Sequence, residues 1–154
     1  MSPAIGKILV AGALGGLVIV VGEVVLNGWL LWPEWRNVRE HLNLGNPNAA
    51  LAAAGSLKLF LLGYVLVWLY LAFTPKFGSG HLTAVIAGLL VALLIWVWVM
   101  IGLLMAGYVT WTIAWLTMVW GLVELPTAAV VSAWFLDRPA AEQAQPAVPP
   151  TERG

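Results

Sequence analysis

Glu23 and Glu124 are the residues in this chain best placed to do chemistry. Each lies in a stretch that is otherwise almost wholly apolar. A carboxylate at membrane depth is costly and needs a partner, a proton or a water-filled cavity. Around Glu23 the residues Gly12, Gly16 and Asn27 follow at intervals of four, seven and four positions. On a helix these fall within a ~60° arc, so the small and the polar residues share one face. Gly12-x-x-x-Gly16 allows close helix contact, and Asn27, one turn beyond Glu23, can donate a hydrogen bond toward it. Around Glu124 the arrangement repeats, with Thr117, Trp120, Gly121, Glu124 and Ala128 on one face. Pro126 follows two residues later, cannot donate its N–H, and disrupts the preceding turn.

These acids must be carried by membrane helices. Of the 154 residues, 62% are hydrophobic and 9% charged, whereas a soluble domain carries about 25% charged residues. The class is therefore an all-α polytopic membrane protein. A span needs about 20 apolar residues, and four are predicted: 8–32, 56–74, 82–106 and 112–136. The first follows Lys7 and ends in the WPEW run. It is too long for a signal sequence, contains Glu23, and is read as a retained helix. Pro75 and Gly78 are expected to stop the second. Asn46 with Pro47 reads as a cap and first-turn proline, which places that helix's start near residue 48. Residues 82–136 hold one charge and suit two crossings, with the turn marked by Gly107, Thr110 and Thr112.

Between the first two spans, residues 33–43 hold Trp35, Val38 and Leu42 at helical spacing. They are predicted as a short interfacial helix, with an ordinary solvated loop as the alternative. Residues 1–137 then form the membrane domain. Residues 138–154, with four prolines and no large hydrophobe, read as a disordered Pro/Ala-rich tail.

Four crossings put both termini on one side. Lys7, Lys76 and Arg138 fall there, and Arg36, Arg39 and Lys58 on the other, an even tally. Cytoplasmic termini are the expectation.

If the first and fourth helices are neighbours, the two acids meet. Their depths differ by roughly 5 Å at 1.5 Å per residue. Two carboxylates in one low-dielectric site cannot both ionise easily, so one holds a proton. The pair is then either a proton- or cation-handling site, with Tyr64 as a possible helper, or a structural hydrogen bond that fixes helix register. Ala84, Gly88 and Ala92 form another small-residue seam. Of the ten tryptophans, Trp29, Trp32, Trp35, Trp111 and Trp134 fall near span ends, where indoles are favoured. Trp68, Trp96, Trp98, Trp115 and Trp120 lie deeper and read as packing, as do Phe60 and Tyr70.

Several chemistries are excluded. The formal net charge is zero, so nothing recruits nucleic acid. The absence of cysteine removes thiolate metal sites and iron–sulfur clusters. His41 and His81 fall in loops on opposite sides, so no shared metal or haem is expected. No phosphate loop or zinc-protease motif occurs. No cofactor and no enzymatic reaction is expected.

The runs VGEVVLNG (21–28), WLYLAFTPKFGSG (68–80), WGLVE (120–124) and SAWF (132–135) resemble those of small bacterial four-helix membrane proteins that have no assigned activity. The resemblance covers the chain to about residue 137. It implies a multi-pass protein of the bacterial cytoplasmic (inner) membrane and singles out the two glutamates. Small multidrug-resistance transporters are similar only in having four helices and an acid in the first. The long first loop and the acid in the fourth helix depart from that pattern.

Three functions stay open. One is a non-enzymatic membrane subunit or accessory protein, packing through small-residue and Trp-rich faces in a homo-oligomer or larger membrane complex. Another is a small proton- or cation-coupled transporter or channel using Glu23 and Glu124. The last is a protein that binds lipid or a hydrophobic ligand.

Overall fold

The computed structural model describes residues 3–45 and 47–138. Asn46 lies outside the described residues, as does the Pro/Ala-rich tail from residue 139 on. Among the described residues, four helices are long and apolar enough to cross a membrane: Ile5–Leu30, Ala49–Phe77, His81–Met105 and Trp111–Asp137. A bilayer offers the backbone no hydrogen-bond partner, so each crossing must satisfy its own N–H and C=O groups as helix.

The first crossing is α1 (Pro3–Val25), which continues without a break into a π-helical turn, Leu26–Leu30. The short α2 (Trp32–His41) follows, with Pro33 in its first turn. It occupies the segment expected to be interfacial. The second crossing is α3 (Ala49–Phe77). The third is α4 (His81–Ala92), a second π turn (Leu93–Val97) and α5 (Trp98–Met105). The fourth is α6 (Trp111–Asp137).

The ends follow from local chemistry. The Asn48 side chain accepts a hydrogen bond from the Leu51 amide at 2.8 Å and starts α3 seven residues before the predicted span. Thr110 caps α6 through the Ile113 amide at 3.3 Å. Gly78 ends α3 with φ +81°, and Gly107 turns the chain with φ +75°, conformations that cost glycine little. The predicted stop at Pro75 is corrected. The helix runs through it to Phe77, because a proline in the last turn forfeits one backbone bond and ends nothing by itself.

Short connections make neighbouring crossings antiparallel. α1 packs on α3 and α6, α4 packs on α3 and α6, and the four close into a ring. Glycines set the spacing. A Cβ at Gly63 would strike the α1 backbone at Gly12 and Gly16, and one at Gly16 would strike the Phe60 carbonyl. Gly88 of α4 lies against the backbone of Pro126 and Leu125 in α6. Ser132, fully buried, approaches the carbonyls of Ala11 and Ala128, each at 3.0 Å, and so ties α6 to α1. The main core gathers Ile19, Leu66, Tyr70, Trp96 and Leu125. A second cluster, around Ile113 and Met118, takes Trp35 and Val38 of α2. α2 therefore lies folded against one end of the bundle.

At the opposite end, Tyr70 donates to Asp137 at 2.6 Å and accepts from the Gly80 amide at 3.0 Å. Lys7 donates to the Arg138 carbonyl at 2.7 Å. Both ends of the described chain thus lie together, as an even number of crossings requires.

Candidate functional site

The ring brings Glu23 of α1 against Glu124 of α6. Glu124 is buried, with 7% of its surface exposed. Gly22 makes room for it, since a Cβ there would occupy the place of the Glu124 carboxyl. The two carboxyls are close enough for a hydrogen bond between them, and the charge of Glu23 acts on Glu124.

Donors approach from four helical segments. Asn27 Nδ2 donates to Glu23 Oε2 at 2.5 Å. Trp35 Nε1 of α2 donates to Asn27 Oδ1 at 2.7 Å, which fixes the amide's orientation. Trp120 Nε1 donates to Glu124 Oε1 at 3.2 Å. Trp96 directs its indole N–H toward Glu23, and its ring lies where a side chain on Gly121 would have to go. Asn27 and Trp96 each sit in one of the two π turns. In the first, the Leu31 amide bonds Leu26 O at 2.7 Å. Such turns insert one residue into the helical register, re-aim side chains, and occur often at functional sites.

Four polar atoms in this region are buried without a hydrogen-bond partner: Glu23 Oε1, Glu124 Oε2, Trp96 Nε1 and Thr117 Oγ1. A buried polar atom left unpaired costs about 1–3 kcal/mol. One proton shared between the carboxyls would remove their mutual repulsion and give both bare oxygens a bond.

A cavity lies on either side of the pair. The first, about 580 Å³, reaches from Glu23, Trp96 and Thr117 to Lys58 of α3 and to Trp35 and Arg39 of α2. Because α2 closes over the bundle at this end, the cavity is a vestibule with a polar floor. The second, about 690 Å³, runs between α1 and α6 from Glu124 and Gly22 past Trp120 to Leu30. Its walls are apolar and Glu124 is its one ionisable group.

The residues singled out in the sequence divide accordingly. Glu23, Asn27 and Glu124 come together. Gly12, Gly16, Gly88 and Gly121 all lie at close approaches, and Pro126 packs on Gly88. Tyr64 does not join the acids. Its ring covers Gly12, eleven positions before Glu23 and roughly 16 Å away along α1. The packing role expected for the deep tryptophans is corrected in part. Trp68 and Trp98 are 67% and 77% exposed and Trp115 also faces outward, since an outward indole meets no penalty in lipid. Sequence reasoning missed the donor roles of Trp35 and Trp120 and the burial of the Trp96 indole beside Glu23. For Trp120 the clue was present, four residues before Glu124 on the same face.

The chain matches no protein family, no curated protein and no solved structure.

Proposed function

We propose that this chain is a small, non-enzymatic membrane transporter in which Glu23 and Glu124 form one site that takes up and releases a proton or cation. The observation carrying this reading is the meeting of two carboxyls, each with one oxygen lacking a donor, between a polar vestibule and an apolar cleft. A purely structural pair has no need of cavities on both flanks. Nor does it need a tryptophan N–H and a threonine hydroxyl left unpaired beside it. Gly12, Gly16, Gly63, Gly88 and Gly121 are all taken up by contacts inside the bundle.

The direct test is ion flux into proteoliposomes holding the full chain, followed with an internal pH-sensitive dye. Glu23→Gln and Glu124→Gln should each reduce proton flux by roughly tenfold or more, the order expected when a positioned proton-transfer group is removed. Flux indifferent to both changes removes the mechanism.

A second reading, an accessory subunit of a larger membrane complex or a homo-oligomer, is favoured by the outward indoles of Trp68 and Trp98. Native mass spectrometry from its own membrane tests it through co-purifying chains. We propose the bacterial cytoplasmic membrane as that membrane, with both termini in the cytoplasm.

A further inference from the structure

We infer that the vestibule beneath α2 binds a small zwitterion, an alkylammonium joined by a short linker to an anionic group such as phosphate. This names the substrate class of the transport site and rests on that reading.

The charges lining the cavity are of both signs. Glu23 lies at the inner end beside Glu124, with Oε1 lacking a donor. Lys58 and Arg39 are the two cations of the lining. Lys58 leaves α3 within the span, and its charge acts on Glu23. Arg39 gives one guanidinium N–H to the Gly45 carbonyl, while its buried Nε–H has no acceptor among the described residues. Two further side chains, both more than nine-tenths buried, line the cavity with unpaired polar atoms: the Trp96 indole N–H and the Thr117 hydroxyl. The cavity therefore presents donors without an acceptor at Arg39 and Trp96 and, at Glu23 Oε1, the lone pair that a proton shared with Glu124 leaves over.

Charge complementarity selects the ligand. A simple cation attracted by Glu23 meets Lys58 and Arg39, and a simple anion attracted by those two meets Glu23. Either leaves part of the lining unpaired, which is costly away from water. A zwitterion answers both ends. Its ammonium donates to Glu23 Oε1, and its anion accepts from Arg39 Nε and Lys58 Nζ. Trp35 and Trp96 also line the cavity. At about 580 Å³ the space falls within the ordinary range of small-ligand sites, roughly 300–1,000 Å³. The same chemistry occurs in a soluble zwitterion and in the headgroup of a zwitterionic phospholipid, and the two sources need separate arms.

In the first arm, purified full-length protein in mild detergent is titrated with glycerophosphoethanolamine, ethanolamine and glycerol phosphate while tryptophan emission is followed. In the second, nanodiscs of mixed phosphatidylethanolamine and phosphatidylglycerol are examined by native mass spectrometry for retained lipid. The zwitterion should bind about tenfold or more tightly than either single-charge fragment, or the zwitterionic lipid should be retained over the anionic one, as expected when opposite charges are matched at both ends. Lys58→Gln, at an exposed position, should keep the melting temperature and remove the preference. A preference in either arm that Lys58→Gln abolishes supports the inference. No preference in both arms, or one that survives Lys58→Gln and Arg39→Gln alike, overturns it. Glutamate-dependent proton flux without any zwitterion preference overturns this inference alone, whereas loss of the flux dependence removes the transport reading beneath it.

Discussion

At the scale of single residues, the site depends on what has been left out as much as on the acids. Gly22 and Gly121 are the spaces into which the Glu124 carboxyl and the Trp96 indole fit. Gly22→Ala should leave a folded protein, because the atoms displaced are the end of a flexible side chain. It should nonetheless lower flux severalfold by moving Glu124 off Glu23, measured in the same dye assay beside a melting curve. Gly121→Ala faces a rigid indole and should lower stability by about 1–3 kcal/mol, the usual cost of overpacking, read from thermal unfolding in detergent. The acids and Asn27 were legible in the sequence because a carboxylate in a run of Val, Leu and Gly has no other explanation than a buried site. The indole donors were not. A tryptophan suits lipid, interface and core alike, so residue type does not say which way the ring faces. Trp96 and Trp98, two positions apart, end at 8% and 77% exposure.

At the scale of helices, close packing replaces the hydrophobic effect, since lipid is as apolar as leucine. The α1–α3 contact through Gly12, Gly16 and Gly63 is the tightest expression of this. A Cβ at Gly63 meets backbone and not a movable side chain, so Gly63→Leu should prevent recovery of monodisperse folded protein on size-exclusion chromatography. Ser132→Ala removes the hydroxyl that ties α6 to α1. It should cost about 0.6 kcal/mol, the average for an interhelical hydrogen bond in a membrane bundle, measured by reversible unfolding in mixed micelles. The spans themselves were legible, as four apolar runs of adequate length. Their faces were less so. A helix apolar on every side carries no amphipathic stripe to orient it, and Gly12 and Gly16 betrayed their face only because small residues recur every four positions. Neither π turn was foreseeable. Leu-Leu-Ile-Trp-Val has ordinary helix composition, and the Asn-Gly of Leu-Asn-Gly-Trp-Leu weakens a helix without saying how the register will change.

At the scale of the molecule, the bundle is asymmetric along its axis. One end carries α2, the vestibule and the cations Arg39 and Lys58. The other gathers Lys7, Tyr70, His81, Asp137 and Arg138. The chain contains no cysteine, so cysteines introduced singly report topology without background. Asn43→Cys and Ser79→Cys should be labelled by a membrane-impermeant thiol reagent from opposite sides of the membrane. Labelling of both from one side would contradict the four-crossing arrangement. The number of crossings follows from apolar length alone, and so was evident early. The ring order, which decides that α1 meets α6, depends on which seams interlock and emerges only in three dimensions.

The central claim is that Glu23 and Glu124 act as one site. It is tested most directly by proton flux through the four members of a cycle: the native chain, Glu23→Gln, Glu124→Gln and both together. Groups that share one proton are a unit, so removing either should cost nearly as much as removing both. The double change should therefore fall within about threefold of the worse single one, allowing for a residual coupling of roughly half a kcal/mol. Losses that multiply, as for two independent residues, would contradict the account, as would flux that none of the three changes touches.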